Sequence, residues 1–262
     1  MRVLHALCLT SLLAPLLACA RADGEPAMNR GERAPRATTS TDGPLVIELF
    51  TSQGCSSCPP ADRLLAKLAG DGALGDRALA PLTFHVDYWN DLGWADPFSL
   101  PAWSERQRVY ASAIDDRVYT PQLVVGGATG VVGSNAAAVA EAIRAAPHPA
   151  ALAATATWAR DAVTVTAKAP ADAEVWVAVW EDGTSTRVAR GENAGETLGS
   201  ERVVRRLERV AAAGQNASRA VPLDPTWHVG GAVAFAQRVD RRITASAVLR
   251  RGAPERSPEQ AR

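Results

Sequence analysis

Val46-Ile47-Glu48-Leu49-Phe50-Thr51-Ser52-Gln53-Gly54-Cys55-Ser56-Ser57-Cys58-Pro59-Pro60 decides how this chain folds. Apolar and β-branched residues from Leu45 to Phe50 suit a buried strand. The turn that follows carries two cysteines three residues apart. Beyond Pro59, Leu64, Leu65 and Leu68 recur at helical spacing, with Asp62 in the first turn and Lys67 near the end, where each suits the helix dipole. Prolines are tolerated in a first turn, because its amide hydrogens have no intrahelical partners. Two thiols at such a helix start project to one side and can close a disulfide, and the helix N-terminus favours a thiolate. The pattern therefore predicts a dithiol/disulfide pair with redox chemistry.

The four cysteines narrow the reading further. Met1-Arg2 is a short basic start, and Val3 to Ala18 is an apolar run too short to span a membrane comfortably. It ends in Leu16-Leu17-Ala18-Cys19, which fits a lipoprotein signal peptide over residues 1–19 with lipid on Cys19. The competing reading is an ordinary secretory signal cut among the small residues around Cys19. Either way the chain is expected to be exported, to the periplasm or cell envelope, with membrane attachment through the N-terminal lipid only. Cys8 falls within the signal, leaving Cys55 and Cys58 for the mature fold. A pair this close cannot staple distant segments.

Formal charge is zero, with 28 basic and 28 acidic residues, and 47% of residues are hydrophobic. That balance fits a globular body and offers no basic footprint for nucleic acid. Residues 20–44 read as a flexible tether. From there the order is strand, helix, a second strand over Leu82–Asp87, an aromatic loop with Trp89 and Trp94, and a helix over Trp103–Ile114. Thr120-Pro121 then leads into a third strand, Gln122–Val125. Gly126-Gly127 signals a hairpin to a fourth strand, and a last helix runs to about Ala146. A dithiol after the first strand and an X-Pro turn before the third is the thioredoxin order, with the first strands parallel and the hairpin antiparallel.

After Pro147-His148-Pro149 the pattern changes to short alternating segments, including Ala162–Ala167, Glu174–Trp180, Gly231–Ala236 and Arg242–Leu249. These predict antiparallel strands. Val203–Val210 fits either a strand or a short basic helix. The expected fold class is thus an α/β thioredoxin-like domain (45–148), followed by a small, mostly antiparallel β domain (149–250) and a disordered tail (251–262).

Glu48 to Asp62 resembles the opening motif of the DUF1223 family, exported bacterial proteins with a thioredoxin-like domain and no settled function. The resemblance continues through His85-Val86-Asp87-Tyr88-Trp89, Leu92-Gly93-Trp94, Arg106-Gln107-Arg108-Val109-Tyr110 and Tyr119-Thr120-Pro121-Gln122. It extends to Gly191-Glu192-Asn193-Ala194-Gly195 and Val203-Val204-Arg205. It implies a fold and not a reaction.

From the residues, Cys55 is expected to attack, as the more exposed sulfur, and Cys58 to resolve. Thr120 and a cis Pro121 are expected to face the dithiol and position the partner. Glu48 is a candidate proton relay, and His85 and Asp87, alternating on one strand, are candidate flanking groups. The implied function is an exported thiol–disulfide oxidoreductase acting on protein or small-molecule disulfides, with no organic cofactor. Two rivals stand beside it. One is a Cu(I) metallochaperone using Cys55, Cys58 and His85, since thiolates suit that soft ion. The other is a non-catalytic interaction module of the cell envelope.

Overall fold

The structure is a computed structural model that describes residues 41–252. The expected signal peptide and Cys19, the tether up to residue 40 and the tail from residue 253 lie outside the described residues. Strand β1 (Leu45–Thr51) leads into helix α1 (Pro59–Asp71), the short β2 (Ala73–Leu74) and the long β3 (Arg77–His85). A single 3-10 turn (Asn90–Leu92) precedes α2 (Pro101–Ala113), then β4 (Gln122–Val125), β5 (Thr129–Val132) and α3 (Ala136–Ala145). Next come β6 (Ala150–Ala151), β7 (Ala154–Trp158), β8 (Ala162–Lys168) and β9 (Ala173–Glu181). The remaining strands are β10 (Thr184–Arg187), β11 (Thr197–Ser200), β12 (Val203–Ala211), β13 (Asn216–Pro222), β14 (Val229–Arg238) and β15 (Ile243–Arg250).

The first elements form for the reasons the sequence suggests. Every residue of β1 is buried, so its apolar run sits in the middle of a sheet. It pairs in parallel with β3, with α1 as the crossover. It pairs antiparallel with β4, and β4 turns into β5 through Gly126 and Gly127. Both glycines have positive φ (58° and 69°) and are the central pair of a turn closed by the Ala128 amide on the Val125 carbonyl, in a three-residue connection between Val125 and Thr129. Helix α1 carries Pro59 and Pro60 in its first turn and stops at Gly72, whose φ of 66° is left-handed. The second helix begins at Pro101 rather than near Ser104, and α3 is capped by the Asn135 side chain, which accepts from the Ala138 amide.

The expected fold class is not what the chain adopts. The molecule is a mostly β fold built on one ten-stranded mixed sheet, with three α-helices among the described residues, and not an α/β thioredoxin-like domain followed by a β domain. The strand order is β5-β4-β1-β3-β12-β9-β14-β15-β6, with β2 attached to β3. The physical reason lies at the outer side of β3. Nearly all of β3 is buried, so its outward backbone groups need a partner. Strand β12, the segment ambiguous in sequence, supplies it. Val203 pairs with Thr83, the Thr83 amide donates to the Arg202 carbonyl at 2.8 Å, and the Thr83 hydroxyl donates to the Glu201 carbonyl at 2.7 Å. Beyond that seam, β9, β14 and β15 continue the same sheet.

Side chains on the two faces of β1 enter different cores. Leu45, Ile47 and Leu49 pack with α1 and α3. Val46 and Phe50 pack with Phe84, Trp103 and Tyr110, and also with Trp180, Val233 and Phe235 from later strands. A further core lies under the three-stranded β13-β8-β7 sheet. Strands β10 and β11 form a separate hairpin whose connecting loop, residues 188–196, reaches back to the start of α1.

Candidate functional site

The loop from Ser52 to Cys58 leaves the end of β1 and turns into α1. Cys55 and Cys58 are joined as a disulfide, with Cα atoms 5.5 Å apart. Backbone bonds from the Cys55 amide to the Ser52 carbonyl and from the Cys58 amide to the Cys55 carbonyl wind the loop tightly. The Cys58 carbonyl then accepts from Ala61 and Asp62 as α1 begins. Ser57 places its hydroxyl 3.3 Å from the Cys55 sulfur. The expected pair is therefore brought together at a helix head.

Its exposure is not as expected. Cys55 and Cys58 both have 0% exposed surface, so Cys55 is not the more open sulfur. Ser56 and Ser57 between them are exposed. The Gly191-Glu192-Asn193-Ala194-Gly195 turn is hydrogen-bonded to the backbone of this loop. The buried Asn193 side-chain amide donates to the carbonyls of Gln53 (2.8 Å) and Cys55 (3.0 Å), and the Ser56 amide donates to a Glu192 carboxylate oxygen at 2.9 Å. The hydrogen bonds from Ser56 hold the Glu192 carboxyl below its usual range. Gly191 lies against Trp94 with φ at 81°. The left-handed φ favours glycine there, and a Cβ would sit tightly, 3.1 Å from the Trp94 Cβ. Trp94 in turn donates its indole N–H to Gln53 Oε1, and Trp89 donates its own to the Thr120 hydroxyl. Of the three tryptophans in and after the insert, these two flank the disulfide loop, while Trp103 is a core residue against Phe84.

Thr120–Pro121 is a cis peptide. Phe50 pairs with Gln122, so extending the β1–β4 register by one residue sets Pro121 opposite Thr51, at the same end of the sheet as the dithiol loop. Glu48 lies elsewhere. It points to the α2 side, where Arg106 donates to it at 2.8 Å and the Tyr110 hydroxyl donates to it as well, with Gln237 bonded to Tyr110. Asp87, just beyond β3, pairs with the Ser104 hydroxyl. His85 and Asp87 thus serve different partners. Among the described residues no three His, Cys, Asp or Glu side chains converge in a way that could hold a metal ion, and His85 is bound to Asp96 instead.

A buried polar cluster stands behind the disulfide on the α1 side of the sheet. His85 Nδ1 lies 2.7 Å from Asp96 Oδ2, and the same carboxylate oxygen accepts the Gln53 amide at 2.7 Å. Burial pulls the His85 pKa down, but the Asp96 charge and hydrogen bond, with Asp62 beside them, outweigh it and leave the imidazole above its usual value. Burial likewise pushes Asp96 up, and His85 with the Gln53 and Phe98 amides brings it below the usual carboxylate range. Asp62, one turn into α1, accepts from the Thr51 hydroxyl at 3.2 Å. Burial pushes its carboxyl up to about 6, against the opposing pull of His85. Three buried side-chain atoms of this cluster, Gln53 Nε2, Asp62 Oδ1 and His85 Nε2, have no hydrogen-bond partner among the described residues. Sequence reading took Asp62 only as a helix-dipole acid and assigned no role to Gln53 or Asp96. The contacts that gather them span up to 43 positions, and only the resemblance marked the stretches around them.

The fold and site define a mostly β protein with a buried Cys-x-x-Cys disulfide whose loop is bonded to a distant turn of the same chain. Residues 46–237 match DUF1223, described as a protein of unknown function, and the chain belongs to that family. No curated protein matches the chain in sequence. It is similar to the crystal structure of protein AGR_C_4864 from Agrobacterium tumefaciens, with a TM-score of 0.63 and 26% identity over 82% of this chain and 98% of that one. HBP35 of Porphyromonas gingivalis gives a TM-score of 0.56 at 14% identity, covering 83% of this chain and 79% of that one, a likeness of fold alone.

Proposed function

We propose that the protein is an exported thiol–disulfide oxidoreductase whose disulfide works from beneath a removable cover. The observation that carries this reading is the setting of Cys55–Cys58. The bond closes three residues of sequence at the head of α1 and ties no distant segments together. The start of a helix stabilises a thiolate formed there, which lowers the barrier to exchange. Exchange proceeds by attack of a partner thiolate on one sulfur and release of the other. Cys55 takes the attacked position and Cys58 the released one. Thr120 and Pro121, beside the dithiol loop, are the place for the partner chain in this reading. The partner is a protein or small molecule carrying a dithiol or disulfide, met in the periplasm or cell envelope, where the protein is held by lipid on Cys19.

The burial of both sulfurs makes opening part of the function. Two buried hydrogen bonds donated by the Asn193 side chain hold the cover, and the exposed Glu192 carboxylate accepts one more from the Ser56 amide. At about 1 kcal/mol each, the two Asn193 bonds keep the open form at roughly one molecule in 30. That population slows exchange and leaves it possible.

The test is trapping in cells that express the full chain. A Cys58→Ala variant retains the attacking thiol and lacks the resolving one, so mixed disulfides through Cys55 accumulate and can be identified by mass. Cys55→Ala accumulates none. Recovery of no covalent adduct from Cys58→Ala, with or without a second Asn193→Ala change, overturns the reading.

A further inference from the structure

The polar cluster behind the disulfide asks for an explanation that packing does not give. Unpartnered polar atoms are costly inside a protein, and most buried ones are paired. Here His85 and Gln53 are 1% and 2% exposed, and each ends in a nitrogen without a partner among the described residues. Asp62 adds an unpartnered oxygen beside them.

The helix places Asp62 where it matters. Cys58 caps α1, and the Asp62 amide bonds to the Cys58 carbonyl, so the two residues are one turn apart on one helix face. A helical side chain leans back over the preceding turn, which carries the Asp62 carboxyl toward Cys58. Thr51, at the end of β1, holds one carboxyl oxygen and leaves the other unpartnered. Thr51 is the ladder partner of His85, which brings the imidazole to the same side of the sheet.

Resting on the oxidoreductase reading, we infer that Asp62, supported by the His85–Asp96 pair, is the catalytic acid and base that delivers and removes the proton at the Cys58 sulfur. A partner thiolate attacks the Cys55 sulfur and forms a bond to it. The Cys55–Cys58 bond breaks, its electron pair goes to the Cys58 sulfur, and the Asp62 carboxyl gives that sulfur its proton. The second thiol of the partner, as thiolate, then attacks the partner's own sulfur in the mixed disulfide and releases Cys55. The partner dithiol is oxidised, and the protein disulfide is reduced to a dithiol. In the reverse direction the Asp62 carboxylate takes the proton from Cys58 before it attacks.

The charges that face Asp62 are His85 from β3, Asp96 from the loop before α2, and Arg63 on its own helix, with Arg205 acting on His85. A carboxyl held near 6 can act in both directions around neutral pH. Protonated His85 keeps Asp62 from drifting higher, while the ionised Asp96 that holds His85 pushes Asp62 the other way.

The experiment follows reduction of the full chain by dithiothreitol between pH 5 and 8, in wild type and Asp62→Asn. Glu192 titrates below that window, so the cover does not contribute a step. Wild type is expected to show an inflection near 6 that Asp62→Asn loses, with a fall of roughly 10² in rate on its acid side, where the carboxyl holds its proton. A second measurement needs no substitution. The Asp62 carboxyl carbon is titrated by NMR in oxidised and reduced wild type, and the midpoint is expected to differ between the two states, because a neighbouring thiol or thiolate appears only on reduction. Equal midpoints and an unchanged rate profile in Asp62→Asn overturn the role of Asp62 and leave the oxidoreductase standing. A wild-type disulfide that exchanges with no thiol at any pH overturns the oxidoreductase itself.

Discussion

Two buried carboxylates flank the same sheet and are treated in opposite ways. Glu48, on the α2 side, is fully paired: Arg106 and Tyr110 bond to it directly, and Gln237 completes the network through Tyr110. Asp62, on the α1 side, has one oxygen bonded by Thr51 and the other unpartnered among the described residues, beside a histidine nitrogen in the same condition. A saturated buried network fixes one arrangement and has nothing left to exchange. An unsaturated one can change its protonation at lower cost. The difference separates a carboxylate that organises the joined sheet from one placed for chemistry at the disulfide.

Substitutions should divide along that line. The largest expected effect is Arg106→Ala, which leaves Glu48 as an unpaired buried charge. Chemical denaturation should show a loss of about 3–5 kcal/mol, with no new inflection in the pH dependence of disulfide exchange. A loss below about 1 kcal/mol would remove the contrast. Next comes Asp96→Asn, which should lower stability at neutral pH. The folded His85 pKa is raised, so its contribution is complete below its ordinary value of 6.5 and is lost as pH rises through the folded value. The folded Asp96 pKa is lowered, so its contribution is complete above the ordinary 3.8 and is lost as pH falls through the folded value. Stability curves of wild type should therefore decline at both ends, and those of Asp96→Asn should lose both declines.

Asp62 has the opposite sign to Asp96. Its folded pKa of about 6 lies above the ordinary 3.8, so folding is favoured by its proton, and that contribution is lost as pH rises from 3.8 through about 6. Asp62→Asn should flatten that part of the curve and melt at least as high as wild type at pH 7, read by melting temperature against pH. Asn193→Ala should change global stability little and speed reduction by dithiothreitol about 30-fold, as expected for losing two hydrogen bonds of the cover at about 1 kcal/mol each. Glu192→Gln should act in the same direction by only a few-fold, since the carboxylate is exposed and screened.

The elements nearest the dithiol were legible because their signals are local. The buried run of β1, the prolines and leucines of α1, the Gly126-Gly127 hairpin and strand β4 all fall where spacing and turn chemistry place them. The fold class was not legible, because it turns on β12. That strand carries irregularities between Val204 and Arg206 and between Arg209 and Ala211, which break the alternation that marks a strand. Its pairing with β3 joins what the composition divides into an α/β part and a β part. The site divides in the same way. The two cysteines announce themselves, but Asn193 reaches the Cys55 carbonyl across 138 positions, and in sequence its stretch is marked only by the family resemblance.

The most direct test of the account equilibrates the full chain with glutathione buffers of graded potential, alkylates free thiols and reads the mass. The account predicts one two-electron transition of Cys55 and Cys58, half-complete at a potential above about −300 mV, where exchange-competent disulfides lie, and reached faster in Asn193→Ala. A disulfide that remains oxidised throughout that range in both proteins would contradict it.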